Sequence, residues 1–177
     1  MGRKRASITQ LGVQNDEPSA EERNIIEILN IKERPDLIAQ VAQWIHQEWG
    51  HFRDRSLQDI VRAIENGCVA EYPFTLVAIM GAEPVGTASL KIHDMDLLQD
   101  FTPWLAGVYV PTIHRGKNIA SLLVSEVEER ARRLGFAQIY LYTSTGAKLY
   151  EKLGWNSIQE LEYDGIHVVV MDKMLKP

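Results

Sequence analysis

The strongest constraint on the fold of this chain is a strand, a glycine-containing turn and a long amphipathic helix that follow one another directly. Residues 104–110 form an apolar run typical of a strand buried on both faces. The turn leads into the positive end of the helix dipole, where free backbone N–H groups bind phosphate well. The helix stops at Gly135, and before it apolar residues recur at helical spacing: Ile119, Leu122, Leu123, Val127, Ala131 and Leu134. The pattern therefore predicts a helix that packs on a sheet and begins at an anion-binding loop.

The other elements are predicted from apolar spacing and turn residues. They are a strand at 25–31, helices at 35–50 and 56–67, an antiparallel hairpin of 74–80 with 85–92, a strand at 138–143, a short helix at 147–153 and a final hairpin that turns at residues 164 and 165. The two hairpins indicate that most of the strands pair antiparallel.

Length and composition favour one globular domain. The chain has 177 residues, of which 45% are apolar and 24% charged, the ordinary balance of a soluble protein. Residues 1–23 mix charge with Ser, Asn, Gly and Pro and lack periodicity, so we expect a flexible N-terminal extension followed by a domain over 24–177. Cys68 is the sole cysteine, which excludes an internal disulfide and predicts a cytoplasmic protein.

Several classes of partner are disfavoured by the same sequence. The longest apolar stretch, 104–110, is far shorter than the ~20 residues of a membrane-spanning helix, so we expect no membrane partner. The net charge is −5 and the basic residues are scattered, so we expect no nucleic-acid partner. His, Cys, Asp and Glu do not occur at metal-ligand spacing, and no metal is expected.

Two segments carry recognisable motifs. The turn before the long helix reads Arg115-Gly-Lys-Asn118-Ile-Ala120 and resembles motif A of the GNAT acetyltransferase superfamily, Arg/Gln-x-x-Gly-x-Gly/Ala. Downstream, Leu149-Tyr-Glu-Lys-Leu-Gly-Trp155 is similar to the Leu-Tyr-Glu-Lys-Leu-Gly-Phe signature of that family. The resemblance covers residues 24–175 in element order, and the specific motifs lie within 108–155.

The resemblance implies an α+β GNAT fold, in which a mixed, mostly antiparallel central sheet is splayed between strands 4 and 5 and flanked by helices. It also implies that acetyl-coenzyme A is the cosubstrate. The pantetheine arm of the coenzyme would lie in the splay and bond to the backbone of strand 4 at Val108 and Val110. The residues that would bind its pyrophosphate are Arg115, Gly116, Lys117, Asn118, Ile119 and Ala120.

Tyr150 matches the family tyrosine that faces the coenzyme sulfur, and the resemblance implies that it is the general acid. A phenol with the ordinary pKa of ~10 can protonate a thiolate whose conjugate acid has a pKa of ~8.5. Packing beside Leu149 and Leu153 is the structural alternative for this tyrosine. A backbone N–H of strand 4, that of Val110, is expected to stabilise the oxyanion.

Asn118 and Gly107 predict special backbone conformations. Asn118 stands where the family motif has its first glycine, and Asn tolerates the left-handed conformation better than most residues, so we expect the loop to be preserved. Gly107 lies inside the strand run, which predicts a β-bulge at the splay, with simple close packing as the alternative.

The general base and the acceptor pocket are predicted from position alone. If the chain after the third strand is extended, Asp94 and Asp96 share one face and are placed to attract a cationic acceptor or to relay its proton through water. A polar loop is the alternative. Trp49, His51 and Phe52 fall between the first two helices, where the family commonly builds the acceptor pocket, and ordinary packing is the alternative there.

The combined expectation is an acetyl-coenzyme A-dependent N-acetyltransferase that moves an acetyl group to a primary amine by direct transfer in a ternary complex. The alternative is a non-catalytic acyl-coenzyme A binding or sensing module on the same fold. Tyr150 favours the enzyme, and Asn118 favours the module. The acceptor is a small molecule or a peptide that the sequence does not identify. An exposed final strand would allow pairing between two subunits, so a homodimer is a further expectation.

Overall fold

The computed structural model describes residues 25–52 and 55–176, and the predicted extension at 1–23 lies outside them. The helices are α1 (Ile38–Trp49), α2 (Leu57–Gly67), α3 (Ile119–Arg133) and α4 (Ala147–Lys152). The strands are β1 (Ile26–Asn30), β2 (Phe74–Met80), β3 (Glu83–Lys91), β4 (Trp104–Tyr109), β5 (Gln138–Thr143), β6 (Asn156–Tyr163) and β7 (Ile166–Met174). Short 3₁₀ helices occupy Ile31–Glu33, Pro35–Leu37, Gly50–Phe52 and Thr112–His114.

Seven strands form one sheet in the order β1-β2-β3-β4-β5-β7-β6. All neighbouring pairs are antiparallel except β4 and β5, which run parallel. In the described part of the chain, β4 and β5 share a single register pair, Trp104 with Tyr140, and the two strands diverge after it. The predicted mixed, mostly antiparallel sheet, splayed between strands 4 and 5, is therefore confirmed.

Helices cover both faces of the sheet. On one face, α3 packs through Leu123 and Val127 in a buried cluster that also contains Leu141 of β5 and Tyr150 of α4. We call this the α3 face. On the other face, the α1 face, α1 and α2 pack on β2 in a second cluster. Side chains alternate along each strand, so Tyr109 joins the α1 cluster while Val108 and Val110 contact the α3 cluster.

Local capping sets the first element boundaries. The predicted strand 25–31 ends at Asn30, because the Asn30 side chain accepts a hydrogen bond from the Lys32 N–H (3.1 Å) and starts a 3₁₀ turn. The predicted start of the second helix is confirmed, since the Ser56 hydroxyl accepts from the Asp59 N–H (3.2 Å) and the Asp59 carboxylate accepts from the Ser56 N–H (3.3 Å).

The order of the last two strands differs from the expectation. The final strand, β7, lies between β5 and β6 and pairs with both of them, so β1 and β6 are the edges of the sheet. The prediction that the final strand is exposed and can pair between subunits is wrong. The hairpin folds back so that its second strand meets β5 and its first strand becomes the edge.

Candidate active site

A cavity of about 840 Å³ lies at the splay between β4 and β5. Its lining includes Leu105 to Tyr109 of β4, the following Val110, and the end of β5 with the loop that follows it. Ile45 and Trp49 of α1 line it from the α1 face, and Leu149 and Tyr150 of α4 line it from the α3 face. The cavity therefore lies in the sheet at the splay and is lined by side chains from both of its faces.

A bulge in β4 lies at the wide part of the splay. Between the register pairs Ser89–Ala106 and Thr87–Tyr109, β3 has one residue and β4 has two, Gly107 and Val108. Gly107 has φ +60°, in the left-handed region that favours glycine. The predicted bulge is confirmed, and it turns the backbone of β4 next to the cavity.

The loop from Arg115 to Ala120 also has the predicted backbone. Gly116 and Asn118 have φ values of +79° and +62°, and α3 begins at the next residue, Ile119. The left-handed conformation expected of Asn118 is confirmed. The Arg115 Nε–H donates to the Val110 carbonyl (3.0 Å), which ties the loop to the end of β4.

Only part of this loop lines the cavity. Arg115 and Ala120 are lining residues, whereas Gly116, Lys117 and Asn118 are exposed at the start of α3. Ile119 is buried and anchors α3 in the core. The loop can bind an anion through the backbone N–H groups at the start of α3 and through the side chains of Arg115 and Lys117.

Tyr150 lies on α4 at the α3 face, and its side chain lines the cavity. The residue is 9% exposed, and its ring contacts the Trp155 ring edge-on at 6.0 Å between centroids. Burial raises the pKa of Tyr150 to about 12. The expectation of an ordinary phenol pKa is therefore wrong. The hydroxyl stays protonated at any physiological pH and is a weaker acid than free tyrosine.

A network of polar contacts holds Trp155. The indole N–H donates to one Glu128 carboxylate oxygen (2.8 Å), and the Lys173 ammonium donates to the other (2.6 Å) and to the Leu153 carbonyl (2.6 Å). Glu128 belongs to α3, Lys173 to β7, and Trp155 directly precedes β6. The side chains of Glu128 and Lys173 are mostly buried, at 14% and 22% exposure. We call this set the Glu128 network.

The two predicted carboxylates have different surroundings. Asp94 lines the cavity, and its carboxylate pairs with the Lys91 ammonium at 2.9 Å. Asp96 is not among the lining residues, and its backbone N–H donates to the Tyr163 hydroxyl (3.2 Å). The chain bends at Asp94 and turns at Asp96, so the expected extended segment does not form, and only Asp94 of the pair lines the cavity.

Aromatic residues line the cavity on the α1 face. Trp49 and His51 are lining residues as expected, while the side chain of Phe52 lies outside the described part of the structure. Sequence reasoning missed Tyr109, Tyr142 and Tyr163, which come from three different strands and also line the cavity. Two of them could have been predicted from the alternation of side chains along a strand. Tyr109 and Tyr142 each follow an apolar residue, so each lies on the opposite face of the sheet from that residue.

Metal-binding clusters and membrane spans are two other features that the described residues lack. Among residues 25–52 and 55–176, no group of three or more His, Cys, Asp and Glu side chains is arranged to hold a metal ion. None of the helices in these ranges has the length and apolar composition needed to cross a bilayer.

The structure thus combines a mixed sheet that opens between two parallel strands, a glycine-containing loop at the start of α3 and a phenol beside the opening. The sequence profile of the acetyltransferase (GNAT) family matches residues 38–155, about two thirds of the chain. The chain belongs to the GNAT family, as its motifs predicted.

Solved structures of this family share the fold. yncA from Salmonella typhimurium, solved with acetyl-coenzyme A, has a TM-score of 0.70 and 19% identity over 86% of this chain and 95% of its own. An aminoglycoside 6'-N-acetyltransferase in complex with coenzyme A has a TM-score of 0.68 and 19% identity over 86% and 98%. The aminoglycoside 6'-N-acetyltransferase of Enterococcus faecium has a TM-score of 0.66 and 18% identity over 86% and 98%. A search of curated protein sequences gives no significant match.

Proposed function

We propose that this protein transfers an acetyl group from acetyl-coenzyme A directly to a primary amine, with both substrates bound together. The observation that carries the proposal is the cavity in the sheet at the splay. Arg115, Ala120 and Tyr150 line it from the α3 face, and a separate set of side chains lines it from the α1 face. Two reactants can therefore be held next to each other inside the sheet, each contacted from its own face.

The coenzyme is assigned to the α3 face. Its pyrophosphate is held by the N–H groups at the start of α3 and by Arg115 and Lys117. Its pantetheine arm takes the place of the missing β5 partner along β4, with the backbone of Val108 and Val110 as its hydrogen-bonding groups. The neighbours solved with acetyl-coenzyme A and coenzyme A support this assignment.

The reaction follows from these positions. The nitrogen of a neutral amine attacks the thioester carbonyl, a C–N bond forms, and the C–S bond breaks. The Val110 N–H stabilises the oxyanion, and Tyr150 gives its proton to the departing thiolate. Asp94 accepts the proton of the attacking nitrogen through water, and the phenolate regains a proton from solvent. The products are an amide and a free thiol. Asp96 lacks a place in the cavity lining and is the weaker choice for the base.

The alternative, a non-catalytic acyl-coenzyme A module, depended on a damaged phosphate loop at Asn118. The left-handed conformation of Asn118 weakens that argument, because the residue adopts the backbone that a glycine would supply. A cytoplasmic location and a homodimer stay predictions. The amine acceptor is treated below.

Binding and turnover test the two functions separately. Titration calorimetry with acetyl-coenzyme A should give heat, and a concentration of 100 Kd should stabilise the fold by about 2.7 kcal/mol, which raises Tm by roughly 5–11 °C for a chain of this size. NAD⁺ at the same concentration is the control and should do neither. Release of free thiol that depends on an added amine then shows transfer. Heat without amine-dependent thiol would identify the binding module, and no heat would contradict both functions.

A further inference from the structure

Two aromatic pairs form the wall of the cavity on the α1 face. Trp49, at the end of α1, contacts the Tyr109 ring of β4 edge-on at 6.3 Å. Across the splay, Tyr142 of β5 contacts the Tyr163 ring of β6 edge-on at 5.6 Å. All four residues line the cavity, and we call them the aromatic pocket. The Tyr163 ring is fixed further by its hydroxyl, which accepts from the Asp96 N–H (3.2 Å).

The charges around the aromatic pocket nearly cancel. Apart from Arg115 of the loop, the charged residues that line the cavity are three carboxylates, Glu48, Asp94 and Asp164, and two cations, Arg55 and Lys91, which leaves one net negative charge among these five. Lys91 and Asp94 already neutralise each other at 2.9 Å. A pocket with this balance favours a ligand with one positive charge, because the lining has one carboxylate in excess and each further ammonium would add a positive charge without a counter-charge.

We propose that the acceptor is a primary amine with a single positive charge, carried on an aromatic or other flat apolar body, and is not a polycation. The inference rests on the proposed function, since it places the acceptor on the α1 face. The ring of such an amine packs between the two aromatic pairs, and its ammonium is attracted by the ring faces and by Glu48 before it loses a proton.

A matched amine series tests this class. Phenethylamine carries one ammonium on a ring, hexylamine carries one on a flexible chain, and spermidine and kanamycin are polycations. Thiol release should give a kcat/KM for phenethylamine at least 10-fold above that for spermidine or kanamycin, with hexylamine between them. Calorimetric titration of each amine into the protein loaded with coenzyme A should give the same order. This second measurement needs no turnover, so it decides the acceptor class even if transfer fails.

Variants connect the preference to the pocket. Trp49→Leu keeps an apolar side chain and removes the ring, and it should raise the Kd of phenethylamine roughly 3- to 10-fold while that of hexylamine changes less than 2-fold. Glu48→Gln should raise the Kd of both monoamines several-fold at low salt. Glu65→Gln on α2, an exposed residue outside the cavity lining, is the matched control and should change neither.

Two results would overturn the proposal. One is tighter binding and faster acetylation of spermidine or kanamycin than of phenethylamine. The other is an equal effect of Trp49→Leu on phenethylamine and hexylamine. Failure of the proposed function has a different signature, namely binding of amines in the expected order without any thiol release.

A second inference concerns Tyr150 and follows from the Glu128 network. Trp155 is 3% exposed, and its ring packs edge-on against Tyr150, while its indole N–H is held by Glu128 at 2.8 Å. Lys173 fixes the same carboxylate from β7 at 2.6 Å. The Trp155 ring therefore has one orientation set from α3 and β7, and the Tyr150 ring packs against a fixed surface.

The geometry points to Glu128 as a positioning residue for Tyr150, acting through the Trp155 indole. Glu128 lies on the helix whose start carries the phosphate loop, and Trp155 lies next to the helix that carries the phenol. The network thus sets the position of the proton donor relative to the coenzyme-binding helix. This inference also rests on the proposed function, because it needs Tyr150 as the general acid.

A double-variant cycle separates positioning from plain structural support. Trp155→Phe keeps a ring and removes the N–H, and Glu128→Ala removes the acceptor. Each should lower kcat about 3- to 10-fold, with the KM for acetyl-coenzyme A unchanged. In the Tyr150→Phe background neither should lower kcat further. Glu129→Gln, on the same helix and paired with Arg132, is the control and should leave kcat unchanged.

The two possible failures are distinguishable. Equal fold-losses in the original protein and in the Tyr150→Phe background would show that the network supports the fold and does not act through Tyr150, which refutes the positioning role. An unchanged kcat in Tyr150→Phe alone would refute the general acid itself, and with it this inference.

Discussion

Replacement of Tyr150 by phenylalanine is expected to lower turnover without loss of coenzyme affinity. The hydroxyl is needed only as the thiolate departs, so the Kd of acetyl-coenzyme A should stay within 2-fold of its original value. A general acid typically contributes ~10²–10⁴-fold. Because burial raises the pKa of Tyr150 to about 12, protonation of a thiolate with a conjugate-acid pKa of ~8.5 is uphill by about 4.8 kcal/mol. An ordinary phenol would face about 2 kcal/mol, so we expect a loss near the lower end, about 10²-fold.

The same pKa gives a stability signature with a definite sign. The folded-state pKa of Tyr150 is raised above its unfolded value of ~10, so its contribution is fully present below pH 10 and is lost as pH rises from 10 to about 12. Tyr150→Phe has no hydroxyl and therefore lacks this pH-dependent contribution to stability. Its free energy of unfolding should therefore rise relative to the original protein by about 1.4 kcal/mol between pH 8 and pH 11.

Denaturant unfolding at pH 8 and pH 11, beside steady-state kinetics by thiol release, measures both effects. Tyr150 should give no alkaline limb in the rate below about pH 11. Full activity of the folded variant would remove Tyr150 from the mechanism. A limb near pH 10 that disappears in the variant would show that the phenol is solvated in the working complex, against the reasoning from burial.

Backbone predictions concern three other positions. Asn118→Gly should leave the acetyl-coenzyme A Kd unchanged or lower it. Asn118→Leu should raise the Kd roughly 5- to 30-fold, because a left-handed residue with a bulky side chain costs about 1–2 kcal/mol. Calorimetry measures both, and equal Kd values would refute the loop assignment. Gly86→Ala should destabilise by about 1–3 kcal/mol, since its Cβ would lie 3.0 Å from Leu123 Cδ1, and an unchanged Tm would contradict this. Gly107→Ala meets no atom closer than 3.9 Å, so it should cost only the backbone term, about 1–2 kcal/mol, in the same melts.

Features that depend on a few adjacent residues could be predicted from the sequence. The backbone conformations of Asn118 and Gly107 were predicted correctly, because each depends on the residue type and on its local position, Asn118 at the start of α3 and Gly107 inside β4. The splay was also expected correctly, although this came from family motifs and not from periodicity.

Features that depend on contacts between distant parts of the chain could not be predicted from residue types and spacing. The pKa of Tyr150 depends on burial in a cluster that spans several elements, which spacing does not show. Only Asp94 of the two predicted carboxylates lines the cavity, because the chain bends and turns at 94–97 and does not continue as a strand. The place of β7 between β5 and β6 was missed because a hairpin can add to a sheet through either of its strands.

The cavity at the splay between β4 and β5 has a consequence for product release. In the proposed arrangement the coenzyme lies on the α3 side of the cavity and the acceptor on the α1 side, so each product is expected to leave without displacing the other. Free coenzyme A should then compete with acetyl-coenzyme A and not with the amine, and the acetylated product should compete with the amine alone. Inhibitors of the proposed coenzyme site need not resemble ligands of the proposed acceptor site. A molecule that occupied both sites would have to run through the gap that β5 leaves beside β4.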